Sequence, residues 1–190
     1  MKTRLMLLRP LRRAIGGAVM LLLASLLMPF DAAAAAAPKV PIVLAILTPD
    51  SPLEEGEYLW EPERATAGRI EIVADVARDT LYVYRGGVEI GRTILIYGAD
   101  EKPTPLGSFP ILQKKVHHIS NLYNAPMPYM MRLTWDGVAL HGSGDTVDNR
   151  YATHGCIGLP DEFAALLFRA TKLGDRVTVT RNWLPQFYGA

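Results

Sequence analysis

The feature that most constrains the fold is an alternation of apolar and polar residues with a period of two, which begins near residue 69. Ile70 and Ile72 start the pattern, and it returns after a polar break. This period is typical of β-strands that bury one face. A Gly86-Gly87 pair between two such runs predicts a tight hairpin. We therefore predict that residues 69–98 form a meander of antiparallel strands.

The rest of the pattern predicts a mostly β chain with one clear helix. Residues 161–173 place Phe163 and Leu167 on one helical stripe, with acidic residues first and Gly174 directly after the last turn. Prolines in residues 102–110 predict a loop without strand pairing. Further strands are predicted at 111–116, 129–135, 138–141 and 177–179.

The N-terminal segment, residues 1–37, has the layout of a secretory signal peptide. Basic residues come first, an apolar run extends from Ala18 to Phe30, and small residues precede Pro38. We expect export across the inner membrane to the periplasm or cell envelope. The alternative is an uncleaved anchor, which would be the chain's contact with a membrane.

Charge disfavours a nucleic-acid partner once this segment is set aside. Five of the 20 basic residues and one of the 19 acidic residues precede residue 36, so the remainder is acidic by three charges. Residues 38–68 are rich in proline and glutamate and are predicted to be an extended lead-in, with Tyr58 and Trp60 resting on the domain surface. Residues 181–190 are predicted to be a C-terminal tail.

Cys156 is the single cysteine, so it has no partner for an intrachain disulfide. Such a residue in an exported chain is either a small buried apolar group or a reactive thiol. Its neighbours favour reaction, because His154 can lower the pKa of the thiol or take its proton, and Gly155 lets backbone N–H groups converge on one point. The helix that follows is expected to favour negative charge there.

His141 is the candidate general base for this thiol. It ends a predicted strand and is followed by Gly142 and Ser143, a stretch flexible enough to return the chain toward Cys156. A base of this kind needs a third group that fixes its tautomer. The Gly142 carbonyl, the Ser143 carbonyl and Asp145 are the candidates.

These residues resemble the L,D-transpeptidase (YkuD-like) catalytic domain family. The resemblance is carried by His141-Gly142, by Thr153-His154-Gly155-Cys156 and by the Thr-Pro-x-Gly-x-Phe pattern within residues 102–109, and it covers about residues 69–180. It implies a small mixed β-sandwich with the site in a cleft between sheets. It also implies thiol acyl transfer on peptidoglycan stem peptides, without a cofactor or metal, and acylation of the thiol by carbapenems.

By resemblance, Cys156 is the nucleophile, His141 is the general base and His154 lines the thiol. The N–H groups of Gly155 and Cys156 would form the oxyanion hole. The expected substrate contacts are Ser143, Tyr129, Thr153 and Gly142. The donor would be a tetrapeptide stem that loses D-Ala. The acceptor would be an amine of another stem, a D-amino acid or a wall-attached protein, or water in its place.

Two departures and two alternatives accompany this interpretation. Gly158 stands where relatives usually carry Arg or Asn, and the eleven residues between His141 and Thr153 make a short loop. Gly158 permits the alternative of a retired module that only binds peptidoglycan. A zinc peptidase using His141, Asp148 and His154 is the less favoured alternative. His117 and His118 are interpreted as surface histidines.

Overall fold

Ten strands in two sheets and one α-helix make up the part of the chain described by the computed structural model, residues 41–98, 102–121, 124–144 and 154–183. The predicted signal peptide, Asp145, Asp148 and Thr153 lie outside these residues. The strands are β1 Tyr58–Trp60, β2 Ile70–Asp75, β3 Thr80–Arg85, β4 Val88–Ile94, β5 Gly107–Pro110, β6 Gln113–Lys115, β7 Met130–Arg132, β8 Ala139–Gly142, β9 Ile157–Leu159 and β10 Arg176–Thr180. The helix α1 is Asp161–Ala170, and Pro62–Arg64 form a 3-10 turn.

The larger sheet has six strands in the order β1-β4-β3-β2-β10-β5. The predicted meander is confirmed for β2, β3 and β4, which pair antiparallel, with Gly86 and Gly87 at positive φ in the hairpin turn. The last strand, β10, then returns to pair parallel with β2. The smaller sheet has the order β6-β7-β8-β9, and its β8 and β9 are also parallel. Both sheets are therefore mixed.

Three strands lie where none was predicted: β1 in the lead-in, β5 and β9. β5 occupies the end of the proline-rich loop, because an edge strand needs to pair on one side only, and it uses that side against β10. β9 has only three residues, too few to show a period, and it forms because β8 offers it a parallel partner. The predicted strand continuing to residue 98 ends at Ile94, after which Ile96 makes a single bridge to Gly158.

The main core lies between the two sheets and α1. It contains Ile72 and Val83 of the larger sheet, Leu140 and Ile157 of the smaller sheet, and Phe163 of the helix, all fully buried. The predicted helical stripe is confirmed in part, because Phe163 and Leu167 are buried. Together with the two mixed sheets and single helix, this core confirms the mostly β sandwich fold.

The lead-in contributes to the folded unit. β1 adds an edge strand to the larger sheet by pairing with β4. The N–H of Leu47 donates to Glu89 Oε2 at 2.8 Å, and Arg92 Nη2 donates to the Leu47 carbonyl at 3.0 Å. Glu89 and Arg92 also form a buried ion pair of 2.7 Å. An ion pair thus fastens this part of the lead-in to β4.

The outer face of the larger sheet is covered from both ends of the chain. Tyr84 and Trp183 pack edge to face there, and Trp183 Nε1 donates to the Tyr84 hydroxyl at 2.8 Å. Trp183 belongs to the predicted tail, so the tail begins as part of this packing.

Across the described residues, no helix is both long and apolar enough to span a membrane.

Candidate active site

The pairing of the smaller sheet places the thiol and the candidate base on one face. Side chains alternate between the faces of a strand, and Leu140 and Ile157, which pair with each other, point into the main core. His141 and Gly158, the next pair, therefore lie on the opposite face. Cys156, two residues before Gly158, shares that face and packs against Met130 and Ala139. We call it the site face. The family resemblance implied a cleft between the sheets, but core side chains fill the space between them.

Backbone groups of β8 and of the turn before it hold the Cys156 sulfur. The thiol donates to the Gly137 carbonyl at 3.6 Å, and the backbone of Ala139 also contacts the sulfur through a hydrogen bond. Burial raises the pKa of the Cys156 thiol above its ordinary value, although the Ala139 hydrogen bond and the charges of Lys102 and Arg132 oppose this rise. The thiol is therefore protonated at neutral pH.

The expected effect of the helix on the thiol is wrong. α1 begins five residues after Cys156, and β9 lies between them, so the helix N-terminus is roughly 16 Å away along the chain. That distance exceeds the range over which a helix dipole acts, which is about one turn. The first turn instead places Asp161 Oδ1 at 3.0 Å from the N–H of Gly144, which braces the segment after His141.

His141 is oriented by the carbonyl of the next residue. Its Nδ1 lies 2.7 Å from the Gly142 oxygen, a contact that requires a hydrogen on Nδ1 because a carbonyl only accepts. The Ser143 hydroxyl lies 3.4 Å from the same nitrogen. Burial lowers the pKa of His141, against the opposing effects of the Gly142 bond and of Asp161. The imidazole is therefore neutral at pH 7, and its Nε2 carries the lone pair.

This arrangement places the thiol and the candidate base on the same face of the smaller sheet. Cys156 and His141 occupy positions on adjacent strands that differ by two residues, roughly 7 Å along the strand direction. Both groups are uncharged in the resting state, because burial raises the pKa of the Cys156 thiol and lowers the pKa of the His141 imidazole. The chemistry available is general-base assistance to a neutral thiol during attack on a carbonyl, rather than storage of a preformed thiolate.

Gly98 and Thr104 lie directly beneath the thiol-bearing turn. The N–H of Gly98 donates to the Thr104 hydroxyl at 2.9 Å, and that hydroxyl donates to the Cys156 carbonyl at 3.5 Å. A Cβ on Gly98 would lie 2.7 Å from the Gly155 Cα, so only glycine permits this approach. Gly155 itself has a φ of 93°, which also favours glycine. Thr104 thus supports the turn.

The structure gives a physical reason for glycine at position 158. A Cβ there would lie 2.3 Å from the Ser143 hydroxyl oxygen and 2.6 Å from Cγ1 of Ile96. The space that an Arg or Asn side chain would enter is thus occupied by two other side chains. Gly142 is similarly confined, because its Cβ would lie 2.2 Å from Asp161 Oδ1. Gly142 therefore contributes its carbonyl and its small size to the site.

Three basic groups that the sequence did not single out as site residues face this centre. Lys102 and Arg132 are close enough to lower the pKa of Cys156 by their charge. His118, interpreted from the sequence as a surface residue, is half-buried and close enough to affect the pKa of His141. The alternation of side chains along β7 could have indicated Arg132, because Arg132 pairs with Ala139 and therefore lies on the site face.

The remaining predicted site residues are placed as follows. His154 is exposed, two residues before the thiol. Tyr129 is half-buried and packs against Phe168 of α1 at the margin of the main core, with ring centroids 6.0 Å apart, and its contact with substrate stays a prediction. Thr153 and Asp148 lie outside the described residues, within which no three His, Cys, Asp or Glu side chains are grouped to hold a metal ion.

Comparisons with known proteins identify the family of the chain. The family model of the L,D-transpeptidase catalytic domain matches residues 69–179. L,D-transpeptidase 1 of Mycobacterium tuberculosis is 32% identical over 123 residues, which cover 56% of this chain and 49% of that protein. This chain thus spans about half the length of that curated relative.

Solved structures show the same similarity. An L,D-transpeptidase in complex with imipenem has a TM-score of 0.55 at 28% identity, covering 58% of this chain and 58% of the other. The L,D-transpeptidase of Stackebrandtia nassauensis has a TM-score of 0.56 at 25% identity, covering 63% and 58%. With the family model matching more than half of its length, the chain belongs to the L,D-transpeptidase catalytic domain family.

Proposed function

We propose that the chain is a peptidoglycan L,D-transpeptidase in which Cys156 transfers an acyl group. The observation that carries this proposal is the shared site face: a thiol held by the backbone of β8 and of the turn before it shares one face of the sheet with an imidazole whose Nδ1 hydrogen is fixed by the Gly142 carbonyl. That bond leaves His141 Nε2 as the proton acceptor. A binding module has no need of a thiol and a base oriented in this way.

The proposed donor is a tetrapeptide stem. Cys156 Sγ attacks the carbonyl carbon between the third residue and the terminal D-Ala, while His141 Nε2 takes the thiol proton. The C–N bond then breaks, and the same proton passes to the leaving D-Ala nitrogen. The product is a thioester on Cys156. N–H groups of Gly155 and Cys156 are proposed to stabilise the oxyanion of the tetrahedral intermediate.

An amine completes the reaction. It attacks the thioester carbonyl with its proton passing to His141, and sulfur leaves to regain that proton. An amine of a second stem would give a crosslink, a D-amino acid would give exchange, and a wall-attached protein would be anchored. Water would give hydrolysis. We also propose that the protein acts in the periplasm or cell envelope, since its substrate is there and residues 1–37 have the signal layout.

Mass spectrometry of a tetrapeptide muropeptide incubated with the purified chain tests this function. We expect release of D-Ala together with a dimer, exchange or tripeptide product, whose identity names the acceptor. The Cys156→Ala variant should give none of these products. Imipenem, found with the related enzyme, should add to the wild-type chain and not to the variant. An active Cys156→Ala variant would contradict the proposal.

A further inference from the structure

A guanidinium group stands beside the thiol on the site face. Arg132 of β7 pairs directly with Ala139 of β8, and the backbone of Ala139 forms a hydrogen bond with the Cys156 sulfur. Directly paired residues carry their side chains on the same face, with Cβ atoms roughly 5 Å apart. Arg132 thus leaves its strand at the level at which the sulfur is held.

The partners of Arg132 are incomplete for a cation. Its Nε donates to the Gln113 side-chain oxygen at 3.1 Å, which is a neutral acceptor. Among the described residues, no carboxylate lies within salt-bridge distance of the guanidinium. A guanidinium has five N–H donors, and its fork matches the two oxygens of a carboxylate. The half-buried Arg132 therefore retains donors for an anionic ligand.

The position two residues after the thiol cannot fill this role. Gly158 has no side chain, and the space beside it is taken by Ser143 and Ile96. The second basic side chain near the thiol is Lys102, whose Cγ would lie 3.8 Å from a Cβ on Gly155. Positive charge thus reaches the thiol from Arg132 of β7 and from Lys102, while β9 supplies none.

The donor of the proposed function carries a matching anion. The carboxylate of the leaving D-Ala is three bonds from the carbonyl carbon that the thiol attacks, which is about 4 Å. When that carbon lies against Cys156 Sγ, the carboxylate lies within the space next to the sulfur. A cation one strand away from the sulfur is placed to receive it.

We propose that Arg132 determines donor specificity by binding the C-terminal carboxylate of the leaving amino acid. This inference rests on the proposed function, because it assigns the substrate group that the same site selects. The site then requires a stem that ends in a free acid directly after the scissile bond. A stem whose terminal residue is amidated, or one extended by a further residue, loses this interaction.

The experiment compares two tetrapeptide donors, one ending in D-Ala and one in D-alanine amide. The kcat/KM for release of the terminal residue is measured for the wild-type chain, Arg132→Gln, Arg132→Lys and the control Arg169→Gln. Arg169 is exposed on α1, whose buried side packs into the main core, so its loss matches the charge change away from the site. Thermal melts establish that each variant is folded.

We expect the wild-type chain and Arg169→Gln to prefer the free acid by roughly 10- to 100-fold, the range for a hydrogen-bonded charge pair. Arg132→Gln should lower this preference to about 1- to 3-fold by slowing turnover of the acid alone. Arg132→Lys should retain part of the preference, since it keeps the charge without the fork. A preference that is unchanged in Arg132→Gln would overturn the proposal.

Two further arms separate this inference from the proposed function. Alkylation of Cys156 by iodoacetate, an anion, and by iodoacetamide needs no turnover, and Arg132→Gln should lower the ratio of the two rates several-fold. If neither the wild-type chain nor any variant turns over the donors but Arg132→Gln lowers the ratio of the iodoacetate to the iodoacetamide rate, the proposed function fails and the anion site at Arg132 stands. An unchanged ratio overturns the anion site. A third donor pair, in which the third stem residue is a diamino acid whose side-chain carboxylate is either free or amidated, locates the anion. An Arg132-dependent preference confined to that pair would overturn the assignment to the leaving residue.

Discussion

Gly158→Ala tests whether close packing explains the missing side chain after the thiol. The new Cβ would lie 2.3 Å from the Ser143 hydroxyl oxygen and 2.6 Å from Cγ1 of Ile96. Ser143 can relieve its contact by rotating, whereas Ile96 is buried and its bridge to Gly158 fixes the backbone distance. The perturbation is therefore mainly an overpacked contact with Ile96.

The magnitude follows from two opposing effects. Overpacking costs about 1–3 kcal/mol, and replacing glycine in the unfolded chain returns about 0.4–1 kcal/mol. We expect a net loss of about 1–2 kcal/mol, which for a domain of this size lowers Tm by about 2–8 °C. Differential scanning calorimetry of wild type, Gly158→Ala, Ser143→Ala and the double variant measures it.

The double variant separates the two contacts. Ser143→Ala removes the hydroxyl, so Gly158→Ala should cost less in that background, and the difference is the coupling between the two positions. The cost that remains belongs to Ile96. A Gly158→Ala variant that melts at or above the wild-type temperature would refute the packing argument. Higher activity of Gly158→Arg would refute it also, because that side chain is expected to have no room.

Three other predictions follow from the contacts described. Thr104→Val removes the acceptor for the Gly98 N–H and should lower the free energy of unfolding by about 1–3 kcal/mol, with a lower kcat, as urea denaturation and kinetics would show; an unchanged kcat would contradict its support of the thiol turn. Glu89→Gln leaves Arg92 buried without its counter-charge and should cost about 3–5 kcal/mol, whereas a stability within 1 kcal/mol of wild type would contradict it. Because burial raises the pKa of Cys156, alkylation by iodoacetamide should reach half its maximal rate at a higher pH than for an ordinary cysteine. Because burial lowers the pKa of His141, the acidic limb of the kcat/KM profile should lie below the ordinary histidine range. A thiol titrating below pH 7 would contradict the neutral resting pair.

Local sequence patterns predicted the parts of the fold that depend on local order. The period-two pattern found β2 and β3, and the Gly86-Gly87 turn was recognised because two adjacent glycines permit positive φ. β5 and β9 were missed because their pairing depends on distant strands, β10 and β8. Each of these pairings depends on a partner strand elsewhere in the chain, so a short window of sequence does not reveal it.

The same division applies to the site. Cys156 and His141 stand out in sequence because their motifs are local. Arg132 belongs to no local motif, and its place beside Ala139 depends on the β7–β8 register. The effect of burial on the thiol also escaped prediction, since helix proximity along the chain suggested the opposite sign. Nearness to β7 in sequence likewise did not reveal that the ring of Tyr129 packs against Phe168.

Intact-protein mass spectrometry of the acid-quenched chain, sampled during reaction with a tetrapeptide donor, tests the central claim most directly. The account predicts a transient adduct with the mass of the donor minus D-Ala, located on Cys156 by peptide mapping and absent from Cys156→Ala. Slower formation in His141→Ala would identify the base. A folded wild-type chain that releases D-Ala without any adduct on Cys156, or that forms the adduct elsewhere, would contradict acyl transfer by this thiol.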